Sequence, residues 1–151
     1  MAIVNTAVPI TSESCNRMIL EIVERYPFCR SELLATTVFG RSVRTLVIGS
    51  GPRRVLYTAA HHANEWITAL VLLKFAEDYA AAIDANGQIF DRNARQLAEQ
   101  ATLYLVPLVN PDGVDLVTGA IGAGSRAYEN AAQIGSDFPA IPFPEGWKAN
   151  L

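Results

Sequence analysis

His62 and Glu65, three positions apart in Thr58-Ala59-Ala60-His61-His62-Ala63-Asn64-Glu65-Trp66-Ile67-Thr68, are the residues whose types and spacing best suit chemistry. An apolar run ends there in the only two histidines of the chain, and a carboxylate follows. On a tight turn from a strand into a helix, an imidazole and a carboxylate at this spacing converge on one point. A metal ion is the natural occupant. Zinc accepts imidazole nitrogen and carboxylate oxygen, and a catalytic zinc uses three protein ligands plus a water whose pKa the metal lowers towards neutrality. Two ligands stand in this stretch; a third is not evident. A structural reading stays open beside the chemical one, in which His62 hydrogen-bonds at the sheet edge and Glu65 favours the helix N-terminus through its dipole. Neighbours leaving a strand point to opposite sides, so His61 is expected to face away or to support the pair from behind.

The elements around this stretch must deliver it. Val55-Leu56-Tyr57-Thr58-Ala59-Ala60 is an apolar run without polar alternation, as expected of a central strand covered on both faces, and it carries His61 and His62 to its C-terminal end. Sites in α/β sheets gather at such ends. The span 66–85 predicts the longest helix, apolar on several sides and therefore largely buried, with a left-handed stop near Asn86-Gly87. Upstream, Cys15, Met18, Ile19, Ile22, Val23 and Tyr26 predict an amphipathic helix over 12–26, capped by Ser12 and stopped by Pro27. Residues 36–48 are β-rich, with a turn at Gly40-Arg41 and another at 49–52. Downstream come a short helix over 92–100, a second buried strand over 102–109, and a sharp turn at Asn110-Pro111-Asp112-Gly113. From Thr118 onward, glycine, proline and serine predict a long stretch poor in regular structure. Helix, strand, strand, helix, strand indicates an α/β fold with a mixed sheet and helices packed on its faces.

Length and charge narrow the classes. The 151 residues, half of them apolar, suit one domain over 1–151 with a substantial core, without internal repeat or linker. A net charge of −3 with scattered basic residues argues against nucleic acid. No apolar run approaches the roughly 20 residues that span a bilayer, and no leader pattern opens the chain, so the expectation is no membrane and a cytoplasmic location. Cys15 and Cys29 are expected as free buried thiols, their spacing fitting no zinc knuckle. Gly119 to Gly124 does not join strand to helix and lacks a Lys-Ser/Thr ending, which makes it plain loop. Ser125 lacks the second flanking glycine of a nucleophile elbow.

Taken together, Gly40 to Arg44, His62 to Thr68 (H-A-N-E-W-I-T) and Val106 to Gly113 (V-P-L-V-N-P-D-G) resemble, in order, the first half of the carboxypeptidase A-type zinc metallopeptidases, or funnelins. The late Phe143 to Asn150 segment, F-P-E-G-W-K-A-N, is similar to that of the bacterial γ-D-glutamyl-diamino acid peptidases, which cut that bond in peptidoglycan stem peptides. The resemblance runs from about Tyr26 to the last residue. It implies zinc as cofactor, His62 and Glu65 as its first two ligands, and a peptide substrate, such as a peptidoglycan stem peptide. It places the third ligand, the general base and the asparagine-arginine substrate clamp beyond Leu151. Lys148 stands near where many relatives carry an arginine that polarises the scissile carbonyl. Asn64 replaces the arginine with which digestive carboxypeptidases help bind substrate.

A two-ligand site without base or oxyanion stabiliser does not hydrolyse amides at a useful rate. The expectation is therefore the front part of a zinc peptidase, with an inactive fragment or peptide-binding module retaining half of the fold as the alternative. A sheet edge and the apolar helix over 66–85 would be only partly covered, which predicts self-association.

Overall fold

Residues 2–151 are described by a computed structural model. One-sided burial of Cys15, Met18, Ile19 and Ile22 fixes the first helix, α1, at Ser12–Arg25. Its cap is Thr11 rather than Ser12. The Thr11 side chain accepts from the Ser14 N–H, and the Thr11 N–H donates back to Ser14 Oγ at 2.9 Å, a reciprocal capping box. Ser12 binds Asp115 instead, donating through its N–H at 2.7 Å and its hydroxyl at 2.6 Å.

Strands β1 (Arg30–Thr36) and β2 (Ser42–Ile48) form an antiparallel hairpin turned at Gly40, whose φ of +78° favours glycine. Only its second half was expected. Strand β3 (Arg53–Thr58) leads through one 3-10 turn (Ala63–Glu65) into the long helix α2 (Ile67–Asp84). Asn86, at φ +50°, makes the left-handed exit from that helix. A two-residue ribbon, β4 (Gln88–Ile89) with β5 (Arg92–Asn93), precedes α3 (Ala94–Gln100) and β6 (Ala101–Val106). Helices α4 (Pro111–Val117) and α5 (Arg126–Gly135) follow.

The main sheet runs β1-β2-β6-β3, with β2 antiparallel and β3 parallel to β6. The fold is the mixed α/β sheet with packed helices that the pattern implied. Three details differ. β3 lies at the sheet edge, not its centre, and Leu56 and Tyr57 are exposed, because no described element covers that side. Asn110-Pro111 opens a helix where a bare turn was expected, since an asparagine cap followed by proline at the first helical position is a helix start. Helix α5 forms inside the stretch read as irregular, with the Ser125 side chain accepting from the Tyr128 N–H.

One core joins α1, α2 and the sheet through Ile19, Ile22, Leu46, Ile48, Leu70, Leu73 and Leu105. A smaller cluster of Leu116, Ile121 and Ala131, with Phe143 and Trp147 packed on it, seats α5 and the last segment against α4. Cys15 and Cys29 are free and buried, as expected. No helix among the described residues is long and apolar enough to cross a membrane.

Candidate metal centre

The parallel register Thr58↔Val106 ends the ladder between β3 and β6, but pairing continues past it. The Ala59 N–H donates to Val106 O at 3.0 Å, and the Val109 and Asn110 N–H groups donate to Ala59 O and Ala60 O, each at 3.1 Å. Ala60 then takes φ +48°, a left-handed conformation that is costly for alanine and turns the chain out of the sheet. Thr68 closes this turn. Its hydroxyl accepts from the Ala60 N–H at 2.9 Å and donates to Glu65 O at 2.8 Å.

This turn places His62 Nδ1 3.1 Å from Glu65 Oε1, with both side chains about half exposed. Two donors on one tetrahedral zinc at roughly 2.1 Å stand roughly 3.4 Å apart. The pair therefore fits two positions of such an ion with little movement, and its N and O donors are of the right type. Among the described residues no group of three or more His, Cys, Asp or Glu is gathered, so these side chains fill only two positions. His61 turns back to the strand, with Nε2 2.9 Å from Thr58 Oγ1, and takes no part in the pair.

Asn64 and Lys148, far apart in sequence, lie on one backbone bridge. The Ala63 N–H donates to Lys148 O at 3.1 Å and the Asn64 N–H donates to Trp147 O at 3.0 Å. Both residues line a cavity of about 490 Å³. The Asn64 amide oxygen is buried and has no hydrogen-bond partner among the described residues.

Asn110 holds this arrangement together, a role that the expected sharp turn at Asn110 to Gly113 does not include. Its Oδ1 accepts from the Gly113 N–H at 3.0 Å while its Nδ2 donates to His61 O at 3.2 Å and Ala149 O at 3.1 Å. One buried side chain thus caps α4, grips the strand end and anchors the final segment. Gly113 is required by the same contact, because a Cβ there would sit 2.7 Å from Ala149 O. Asparagine followed by proline was the available signal.

A model of zinc carboxypeptidases matches residues 15–150. The chain belongs to the zinc carboxypeptidase family. Among curated relatives, this zinc carboxypeptidase-family chain is 37% identical over 126 residues to the γ-D-glutamyl-L-diamino acid endopeptidase 1 of Lysinibacillus sphaericus, a match covering 83% of this chain and 31% of that protein. It is 35% identical over 135 residues to the uncharacterized YqgT of Bacillus subtilis (strain 168), covering 88% and 35% respectively. The chain thus spans about a third of the length of these relatives. Among solved structures, bovine thrombin-activatable fibrinolysis inhibitor, in complex with tick carboxypeptidase inhibitor, superposes with a TM-score of 0.65 at 16% identity. That match covers 96% of this chain and 38% of the other, and it shows a shared fold.

Proposed function

We propose that these residues form the zinc-binding entrance of a peptidase that cleaves γ-D-glutamyl-diamino acid bonds in peptides of the bacterial wall. The observation that carries this is the pair of donors, His62 Nδ1 and Glu65 Oε1, 3.1 Å apart at the C-terminal end of β3 in a zinc carboxypeptidase-family chain. The relative from Lysinibacillus sphaericus supports the choice of bond. His62 and Glu65 would hold the metal. Bound zinc supplies a Lewis acid for the amide carbonyl and lowers the pKa of a bound water.

The residues of this chain orient the substrate. The Lys148 backbone is tied to Ala63 beside the metal pair, and its ammonium would meet the oxygen of a polarised carbonyl. Asn64, between the two ligands, offers a neutral amide to the peptide. Two buried, unpaired thiols suit a reducing compartment and support a cytoplasmic location. A second reading, a peptide-binding module without chemistry, draws on the two-ligand count among the described residues.

Calorimetric titration of the protein with γ-D-glutamyl-L-lysine and α-D-glutamyl-L-lysine, with and without zinc, tests the proposal. The γ-linked peptide should bind more tightly, only with zinc, and not to Glu65→Ala, while the 151-residue chain alone releases no lysine. Equal, zinc-independent binding of both peptides would contradict the metal-centred site. Zinc-dependent lysine release by this chain would refute the two-ligand limit.

A further inference from the structure

The first turn of α2 carries a threonine whose hydroxyl points back to the chain that enters the helix. A hydroxyl has one hydrogen to donate and lone pairs that accept. Thr68 uses both functions on backbone groups, accepting from the Ala60 N–H at 2.9 Å and donating to the Glu65 carbonyl at 2.8 Å. His62 lies in the chain between those two points. One side chain therefore closes the loop that carries the first member of the metal pair and holds the backbone of the second.

Closure matters because the loop is strained and its two functional side chains do not steady each other's backbone. Ala60 at φ +48° persists only while its surroundings over-determine it. Its carbonyl accepts from the Asn110 N–H at 3.1 Å, and its own N–H goes to Thr68. Asn110 also holds the His61 carbonyl, but it does not reach Glu65. The His62 and Glu65 side chains are each about half exposed, and among the described residues neither has a hydrogen-bond partner other than its mate. Their 3.1 Å separation is therefore set by the backbone beneath them, and Thr68 is the side chain that ties the start of the loop to Glu65. Ligands held in place before the metal arrives lose less freedom on binding it, which is how supporting hydrogen bonds raise affinity.

We propose that Thr68 is a positioning residue of the zinc site, whose hydroxyl fixes the backbone of Glu65 against the strand end before His62 and thereby sets how tightly the pair holds the metal. It touches neither metal nor substrate and acts through Ala60 and Glu65. The proposal rests on the reading of His62 and Glu65 as zinc ligands and adds to it the residue that spaces them.

Calorimetric zinc titrations of the wild-type chain and its variants test the proposal. Thr68→Val keeps the shape of the side chain without its hydroxyl and should bind zinc about tenfold more weakly; Thr68→Ala should behave alike. Thr68→Ser keeps the hydroxyl and should match the wild-type affinity within about twofold. Ile83→Ala thins the core at the far end of α2, so it should lower the urea midpoint yet leave zinc affinity unchanged, which separates positioning from general stability. Circular dichroism establishes that the variants fold. In the metal-free protein, hydrogen exchange followed by NMR should find the Ala60 amide protected in the wild type and in Thr68→Ser, and exchanging at least about tenfold faster in Thr68→Val. Wild-type zinc affinity in Thr68→Val and Thr68→Ala, or an equal loss in Thr68→Ser or in Ile83→Ala, would overturn the proposal and leave the zinc reading standing. A wild-type chain that holds no zinc, while Thr68→Val still frees the Ala60 amide, would refute the zinc reading itself, and the proposal would fall with it.

Discussion

Asn110 shows how much of the site hangs on one amide. Replacing it with alanine removes the cap of α4 and leaves the carbonyls of His61 and Ala149 without their shared donor. Loss of a cap and desolvation of unsatisfied buried groups together cost roughly 3 kcal/mol. Urea denaturation of Asn110→Ala should show that loss, and a change under about 0.5 kcal/mol would remove Asn110 from its role. The two cysteines make a second residue-scale prediction. Burial pushes both thiols from the usual 9.0 up to about 12, with the carboxylate of Asp115 adding to the effect at Cys15. The unfolded chain gives up these protons first as pH rises. Their contribution to stability is therefore complete below pH 9 and is lost on the way to about pH 12. The unfolding free energy should drop as pH rises from about 9 towards 12 in the native chain, and less so in a Cys15→Ala, Cys29→Ala double variant. An identical drop in both proteins would assign the effect elsewhere.

Elements are joined here by charge as well as by apolar packing. Arg41, just after the β1–β2 turn, pairs with Asp112 at 3.1 Å and with Asp115, both almost fully buried on α4. Asp115 also receives Ser12 at the start of α1, so one guanidinium ties hairpin, α1 and α4 together. Removing one partner of such a cluster strands the buried charges. Arg41→Ala should cost about 3 kcal/mol, more than a surface ion-pair variant such as Arg17→Ala, for which less than about 1 kcal/mol is expected. Similar losses for the two would mean that the buried cluster adds nothing beyond a solvated pair.

Legibility followed the same physics. Helices α1 and α2 bury enough apolar surface to impose their period on the sequence, and β6, flanked on both sides in the sheet, reads as an apolar run. β1 did not announce itself, because nearly all of its residues are exposed and its form comes from pairing with β2. Helix α5 buries only Ala131 and sits among glycines and prolines, so its signal was reduced to the Ser125 cap. Within the site, His62 and Glu65 were visible as residue types at a spacing. The bridge that brings Lys148 to Asn64 is a backbone contact across the chain, and side-chain identity does not encode such a contact directly.

At the scale of the molecule, β3 is an open edge of the main sheet. Tyr57 on the edge strand lines a cavity of about 560 Å³ with Val71 on α2 and the nearly bare Phe90, and Leu56 is exposed on the same strand. An apolar edge of this kind seeks a strand or a partner face. Sedimentation of the 151-residue chain should show concentration-dependent association, and a Leu56→Lys, Val71→Lys variant should be monomeric and bind less hydrophobic dye. A wild-type chain that stays monomeric at high concentration would show that this flank is tolerated in water. The metal pair lies just beyond the C-terminal end of this same strand.

Equilibrium dialysis against zinc, on the chain and on three single variants, tests the central claim most directly. The account predicts one zinc per chain, held weakly by two ligands, lost in both His62→Ala and Glu65→Ala and kept in His61→Ala, whose ring turns to Thr58. Zinc retained in His62→Ala and Glu65→Ala, or lost only in His61→Ala, would show that the pair at the end of β3 is not the metal site.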